Sequence, residues 1–212
     1  MPPLDYKKEE KSLYLPSGSP VLVDVPEMSF FMVDGRGDPN EPDGEYQHAI
    51  ELLYALSYAV RIGGKKGSIS IPGYREYVVP PLEGLWRTAG NAVPLHQHKK
   101  DLRWTAMIRQ PGFIPREAFE AAVEQLRKKK PHLNTALARM ASFTEGLCVQ
   151  CLHTGSYDEE PATVARMHAF MEETGYSPEM DGVRAHHEIY LSDPRKTPVE
   201  RLKTVLRIPV TR

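Results

Sequence analysis

Near the start of the chain, the order of apolar and polar residues predicts a strand followed by a long helix. The segment "PVLVDVPEMSFFMVDGRG", which ends at Gly37, is rich in β-branched and aromatic residues and predicts a strand. Asp43 is then a predicted helix cap, and the pair Gly63 and Gly64 a predicted stop. Between them, apolar residues recur at helical spacing at Ala49, Leu52, Leu53, Leu56 and Val60.

Two more strands complete the first half. The segments "REYVVPPLEGLWR" and "LRWTAMIRQP" are strand-like, and the polar stretch "TAGNAVPLHQHKKD" separates them. Gly84 or the pair Pro80 and Pro81 predicts a bulge, because glycine and proline inside a strand weaken the regular ladder. The predicted order is β, α, β, β.

The second half shows the same order after a connecting helix, "IPREAFEAAVEQLRKKKP", which has Pro115 in its first turn. "ARMASFTEGLCVQCLHTG" predicts a hairpin around Glu145 and Gly146. "SYDEEPATVARMHAFMEETG" predicts a helix, with Pro161 near its start and Gly175 as its stop. The strands "VRAHHEIYLSDP" and "LKTVLRIPV" follow, so the order is again β, α, β, β.

A repeat of about a hundred residues is one fold unit built twice. We predict a single α+β domain over residues 1–212, with two βαββ repeats at about 20–112 and about 113–212. One antiparallel sheet, two long helices and a ligand cleft between the halves would result. Aligning "LEGLWR" with "HEIYLS" makes Glu83 and Glu188 equivalent, each just ahead of an aromatic residue, Trp86 or Tyr190. Paired carboxylates beside aromatic rings predict a shared pocket.

Composition narrows the class of protein. The chain has 212 residues, 41% of them hydrophobic, which is ample for a buried core. With 27 basic and 28 acidic residues it has no global positive field, so we expect no direct nucleic-acid or membrane partner. No apolar run approaches the roughly 20 residues that span a bilayer. The start, "MPPLDYKKEEKSLYLPSGSP", is charged where a signal peptide would be apolar. We expect a soluble, cytoplasmic protein.

The two cysteines, Cys148 and Cys151, have the C-x-x-C spacing of redox motifs and of half a zinc site. A reactive pair usually opens a helix, whereas these residues lie in a predicted strand, where positions three apart face opposite ways. A second cysteine pair for a zinc site is absent from the sequence. We predict two reduced, dispensable thiols.

Histidines offer no convincing metal site either. His186 and His187 are adjacent in a predicted strand and face opposite sides, so they cannot share one ion. His96 and His98 could share a face, but they fall in a predicted loop without a nearby carboxylate. We predict neither metal nor cofactor.

Strict alternation from Val183 to Leu191 puts Glu188 and Tyr190 on one face and His187 on the other. A carboxylate in an aromatic cleft is costly to desolvate, so it either holds a cation or acts as an acid or base. The plain alternative is that Glu188 and Tyr190 form the solvated side of a half-buried strand.

Four more aromatic residues are candidates for lining a pocket. Tyr54 and Tyr58 lie one helical turn apart on the first long helix, and Trp86 and Trp104 lie on predicted strands. Core packing is the more frequent use of such residues. We therefore keep both interpretations of these four side chains open.

Several motifs together resemble the GyrI-like small-molecule-binding family: "DGRGDPN", "LYALSYAV", "VPPLEGLW", "EGLCVQCLHTGSYDEEPAT", "HHEIYLSDPRKT" and "LKTVLRIPV". The chain is most similar to the stand-alone branch, related to the effector domains of the drug-responsive regulators BmrR and Rob. The resemblance implies two SHS2-type βαββ repeats and a cleft for flat, lipophilic, often cationic molecules. It also implies hydrolysis of cyclopropane-bearing genotoxins of the CC-1065 and yatakemycin type. The family's pocket glutamate would be Glu188, with Tyr190 beside it.

Three functions are compatible with these features. Our first hypothesis is a cyclopropanoid hydrolase with catalytic Glu188 and Tyr190, and with Glu83, Trp86, Tyr54, Tyr58 and Trp104 as ligand-binding residues. The second is a binder that sequesters lipophilic cations without chemistry. The third is a protein-interaction module. The stand-alone branch that the chain resembles lacks the helix-turn-helix of the related regulators. We therefore expect no transcriptional control by this chain alone.

Overall fold

A computed structural model describes residues 2–88 and 99–212, which form five α-helices and a seven-stranded antiparallel sheet. This confirms the predicted α+β class. His96 and His98 lie outside the described residues. No helix in the described ranges is long and apolar enough to cross a membrane.

The long helices follow the predicted order among the strands, and the structure adds two short helices in the first half and a short strand in the second. The first half contains α1 (Tyr6–Glu9), α2 (Lys11–Tyr14), β1 (Val21–Arg36), α3 (Glu45–Lys66), β2 (Leu82–Arg87), β3 (Arg103–Gln110) and the connecting helix α4 (Arg116–Lys129). The second half contains β4 (Ala138–Thr154), α5 (Glu160–Thr174), the short β5 (Ser177–Pro178), β6 (His186–Tyr190) and β7 (Lys203–Thr211). Both halves therefore contain β-α-β-β.

The strands close into a barrel. Their order is β4-β1-β3-β2-β6-β7-β5, and β4 also pairs with β7, so six strands form a ring that β5 extends beside β7. Within each half the third strand lies between the other two. The halves meet where β2 pairs with β6 and where β1 pairs with β4.

Alternate side chains of the strands face the two sides of the sheet. We call the side that packs against α3 and α5 the helix face, and the side inside the barrel the inner face. On the helix face α4 packs beside α3, and the ring of Phe119 lies 5.0 Å from that of Phe31. On the inner face α2 covers one end, where the Ser12 and Leu13 carbonyls accept hydrogen bonds from Gln150 and Arg207.

The predicted stop of α3 at Gly63 and Gly64 is wrong. The helix continues to Lys66 and ends where Gly67 takes up the left-handed conformation at φ 70°. A Cβ atom at Gly63 would lie 2.6 Å from the Ile69 side chain, and one at Gly64 would lie 2.6 Å from the Tyr74 ring. These glycines let the following loop pack against the helix. The cap is likewise Gly44, not Asp43.

The predicted hairpin around Glu145 and Gly146 is also wrong, because β4 is one strand of 17 residues. It pairs with β1 in one register, which is interrupted where Pro26 faces Glu145. Proline has no N–H for the ladder, which explains the interruption. The predicted bulge of β2 is absent too: its register with β3 and β6 is continuous from Leu82 to Trp86, after both prolines.

Cys148 and Cys151 are free, as predicted, and both are buried. Cys148 packs in the larger core, while Cys151 packs with Met167 and Met171 beneath α5. Burial raises the pKa of both thiols. Neither thiol is therefore prepared for redox or nucleophilic chemistry.

A buried charge network fills part of the inner face. His187 lies between two carboxylates, with Nε2 3.0 Å from Glu83 Oε2 and Nδ1 3.0 Å from Glu145 Oε1. Arg207 pairs with the other oxygen of Glu145 at 3.2 Å, and the Tyr14 hydroxyl donates to Glu83. All five side chains are almost fully buried. The network contains two acidic and two basic side chains, so its net charge is zero when His187 is protonated.

Burial alone would lower the pKa of His187, but the charges of Glu145 and Glu83 and the hydrogen bonds to them raise it to about 9. Burial would raise the pKa of Glu145, yet His187 and Arg207 lower it to about 2. The network therefore stabilises the fold fully between the ordinary pKa of glutamate and that of histidine. Its contribution falls as the pH rises through about 9 or drops toward about 2.

We predict that His187→Ala lowers the free energy of unfolding by about 3–5 kcal/mol near neutral pH, since it leaves buried carboxylates without their partner. The loss should shrink above about pH 9, where the wild-type histidine has also lost its charge. Urea unfolding at both pH values measures this difference. His132→Ala, at a histidine whose side chain is 63% exposed, is the matched control. An equal loss at both pH values would show that His187 contributes only packing.

Candidate functional site

The candidate site begins with a chain of hydrogen bonds on the helix face, where β2 and β6 meet. Trp86 Nε1 donates to the Tyr190 hydroxyl at 3.0 Å, and this hydroxyl donates to Glu188 Oε2 at 2.7 Å. The structure therefore brings Glu188, Tyr190 and Trp86 together. Burial, followed by the charge of Glu188, raises the pKa of Tyr190 well above its usual value, so its phenol remains a donor.

Aromatic side chains from both halves surround this chain. The Tyr46 ring of α3 lies 5.1 Å from Trp86 and 4.9 Å from Trp104, so Trp104 supports the site from β3. Tyr157 meets the Tyr190 ring edge-on at 6.0 Å from a short 3-10 turn before α5. Tyr46, Trp86 and Trp104 are buried, whereas Tyr157 is exposed and Tyr190 half-buried. Accessible aromatic rings of this kind can bind flat or cationic molecules.

Two glycines allow the tryptophans to lie close to the sheet. A Cβ atom at Gly84 would lie 2.7 Å from Trp86 Nε1, and one at Gly35 would lie 2.2 Å from the Trp104 ring. Any larger residue would displace these rings. This close approach explains why "LEGLW" and "VDGRG" combine glycine with strand residues.

A second carboxylate lies beside Glu188. Donor atoms of Glu160, His186 and Glu188 all lie within 4.8 Å of one another, and His186 Nε2 is 3.3 Å from Glu188 Oε1. One oxygen of Glu160 is buried without a hydrogen-bond partner among the described residues. Burial raises the pKa of the Tyr46 hydroxyl well above its usual value. This hydroxyl lies beside Tyr190 and makes no well-aligned hydrogen bond among the described residues.

The site residues become more exposed to solvent from Trp86 and Glu188 on the sheet toward Tyr157, on the turn before α5. Trp86 is 5% exposed and Glu188 8%, whereas Tyr157 is 37% exposed. Glu188 is therefore no part of a solvated strand surface, which was the plain alternative. The gradient indicates that a ligand would approach past Tyr157.

Tyr54 and Tyr58 lie at and beyond the border of the site. The phenol of Tyr54 interacts with the backbone of Leu82, which pairs with Tyr190, so Tyr54 borders the site. Tyr58 stacks on Tyr54 with ring centres 6.4 Å apart and is 45% exposed.

Glu83 and Glu188 do not share a pocket. Glu83 pairs across the sheet with Ile189, and Glu188 pairs with Gly84, so the two carboxylates face opposite sides. Glu83 belongs to the inner-face network with His187 and Tyr14. Our alignment of Glu83 with Glu188 was therefore wrong. A shift of one residue along a strand moves every side chain to the other face, so the alignment was displaced by an odd number of residues.

A cavity of about 720 Å³ lies elsewhere, between the ends of β1, β2, β3 and β4. Met32, Leu85 and Phe143 are among its apolar lining residues, and Asp34 and Arg139 form an ion pair at 3.1 Å in its wall. Of the predicted site residues, Trp104 alone lines it in the described part of the chain. The cavity is therefore separate from the Glu188 carboxylate.

Sequence reasoning missed four site residues, Tyr46, Tyr157, Glu160 and His186. A hint existed in "SYDEEP", where Ser156 and Glu159 form a capping box that starts the turn before α5. This cap uses Glu159, while Glu160 is the first residue of α5 and reaches β6. No local pattern reports such a contact between elements.

Comparison with known proteins identifies the class. The profile of the GyrI-like small-molecule-binding domain matches residues 19–211. The chain therefore belongs to the GyrI-like family of small-molecule-binding domains. A search of curated proteins gives no match.

Solved structures agree with this assignment. An uncharacterized conserved protein from Listeria innocua is 46% identical, with a TM-score of 0.91, over 98% of this chain and 100% of the other. A protein described as a hydrolase from Listeria innocua is 45% identical, with a TM-score of 0.87, over 98% and 100%. The EcmrR C-terminal domain is 13% identical, with a TM-score of 0.55, over 92% and 98%, and supports the fold alone.

We predict that Tyr190→Phe lowers the free energy of unfolding by about 1–3 kcal/mol, because it leaves Trp86 Nε1 and one Glu188 oxygen without their partner. Tyr58→Phe removes the same atom from an exposed ring and should change stability very little. Urea unfolding of both variants measures the difference. Equal effects of the two substitutions would mean that the hydrogen-bonded chain contributes nothing to stability.

Proposed function

We propose that the protein is a hydrolase of lipophilic, cyclopropane-bearing molecules of the CC-1065 and yatakemycin type, with Glu188 as the general base. The observation that carries the proposal is a buried carboxylate that is surrounded by aromatic rings and paired with no lysine or arginine in the described ranges. Similarity to a protein described as a hydrolase over 98% of the chain supports the reaction class.

The chemistry would use a water molecule bound beside Glu188. The carboxylate accepts a proton from this water, whose oxygen forms a bond to the cyclopropane methylene carbon. The ring C–C bond breaks, and its electron pair moves into the conjugated carbonyl, whose oxygen then takes up a proton. The product is the substrate plus one water.

A phenol can stabilise the charge that develops on the carbonyl oxygen. Tyr190 already donates its proton to Glu188, at 2.7 Å. The hydroxyl of Tyr46 lies beside that of Tyr190 and makes no well-aligned hydrogen bond among the described residues, so it can turn its proton toward a ligand. We assign this stabilising role to Tyr46, in addition to the Tyr190 that the sequence suggested.

A second candidate function is binding and sequestration of lipophilic cations without chemistry. The acidic pair Glu160 and Glu188 beside Tyr157 favours it, since each cation–π contact contributes roughly 0.5–2 kcal/mol. A base and a cation partner are the same residue type in the same place. The two functions are therefore separated by measurement of turnover and affinity together.

For the hydrolase we predict that Glu188→Gln preserves much of the ligand affinity but reduces turnover by roughly 10²–10⁴-fold. Turnover is measured by mass spectrometry as the gain of one water by a cyclopropane substrate. Glu173→Gln, an exposed position on α5, is the matched control.

The same variants test the binder. If the protein is only a binder, Glu188→Gln should weaken the binding of cationic aromatic dyes by about 1–3 kcal/mol and leave the binding of neutral aromatic ligands unchanged. The wild type should then show no turnover. Unchanged turnover and unchanged affinity in Glu188→Gln would contradict both functions at this site.

A further inference from the structure

Glu160, in the "SYDEEP" segment, is placed to contribute to the site. It is the first residue of α5, and its neighbour Glu159 is occupied in the capping box with Ser156. Glu160 therefore extends to β6, where its donor atom lies within 4.8 Å of those of His186 and Glu188.

Among the described residues, a single histidine is the only group placed to offset the charge of the two carboxylates. In the described ranges Glu160 has no ion-pair partner, and Glu188 has only His186, at 3.3 Å. The other titratable groups facing the pair are Asp158 and Tyr157 on the preceding turn, Tyr190 on β6 and Tyr46 on α3. Asp158 is itself acidic and pairs with Lys99 at 3.9 Å.

Two carboxylates whose oxygens lie within 4.8 Å cannot both ionise cheaply in a partly buried site, so the pKa of one of them is raised. One Glu160 oxygen is buried and has no hydrogen-bond partner in the described chain. A buried polar atom without a partner often marks a catalytic group or a place where water binds. Burial, then the charge of Glu188, then that of Asp158 raise the pKa of Glu160 far above its usual range.

We propose that Glu160 and Glu188 form a carboxyl dyad in which Glu160 is protonated and Glu188 is ionised, with the attacking water beside Glu188 and with Glu160 as the general acid. This inference rests on the proposed hydrolase for its catalytic part. Glu188 takes a proton from water as the new C–O bond forms. Glu160 gives its proton to the carbonyl oxygen, which receives the electron pair of the broken ring bond. Transfer of the proton from Glu188 to Glu160 then restores the dyad, so protons and electrons balance.

The dyad makes a prediction that needs no substrate. In the unfolded chain Glu160 would lose its proton near the usual value of 4.5, whereas in the folded protein it keeps it. The folded state therefore binds more protons above that pH, and Glu160 costs stability increasingly as the pH rises. Glu160→Gln should raise the melting temperature by several degrees at about pH 8 and change it little at about pH 4.

Infrared difference spectroscopy tests the proton directly. The wild type should show the carbonyl band of a protonated carboxylic acid at about pH 7, and Glu160→Gln should lose it. Glu173→Gln, at an exposed glutamate of the same helix, should keep the band and the wild-type melting curve. Absence of the band in the wild type would overturn the dyad, whatever the turnover.

Kinetics test the catalytic part. Glu160→Gln should reduce turnover by roughly 10²–10⁴-fold and remove the alkaline limb of the pH–rate profile, since that limb reports loss of the proton from the acid. Wild-type turnover in Glu160→Gln, together with loss of turnover in Glu188→Gln, would overturn the dyad and leave the hydrolase intact. Stoichiometric zinc binding by the wild type that Glu160→Gln abolishes would also overturn it, because a metal would then replace the proton of Glu160.

Discussion

The pairing of β2 with β6 is the interaction on which the fold and the site both depend. It joins the two halves of the barrel, and its register sends alternate side chains of β6 to opposite faces. His187 enters the inner-face charge network, while Glu188, one residue later, faces the aromatic rings. A shift of one residue would exchange these roles. The register that brings His187 into the stabilising network therefore also fixes where the Glu188 carboxylate lies.

The two faces treat buried charge differently. On the inner face Glu83 and Glu145 are balanced by His187 and Arg207, so burial is compensated and the network is structural. On the helix face Glu160 and Glu188 are near each other, with only His186 as a basic neighbour in the described ranges. A carboxyl pair with so little opposite charge nearby destabilises the folded state, but it can take part in proton transfer or bind a cation. This contrast is the physical reason for locating function on the helix face.

The sequence predicted what depends on local periodicity and could not predict what depends on contacts between distant segments. Strand alternation placed Glu188 with Tyr190 and turned His187 away, because a period of two residues is a property of the backbone. The equivalence of Glu83 and Glu188 failed, because the pairing register between halves is determined by packing. Gly63 resembled a helix stop although it serves close contact with Ile69. Glu160 was missed because its position follows from how α5 crosses β6.

We propose that ligands bind on the helix face against Trp86 and Tyr190. The most direct measurement is a crystal structure of the Glu188→Gln variant with a cyclopropane-bearing ligand. This variant should bind the ligand without hydrolysing it. We expect the ligand to contact Trp86, Tyr157 and Tyr190, with its cyclopropane beside residue 188 and its carbonyl oxygen toward Glu160. A ligand bound instead in the 720 Å³ cavity beside Asp34 and Arg139 would contradict the account.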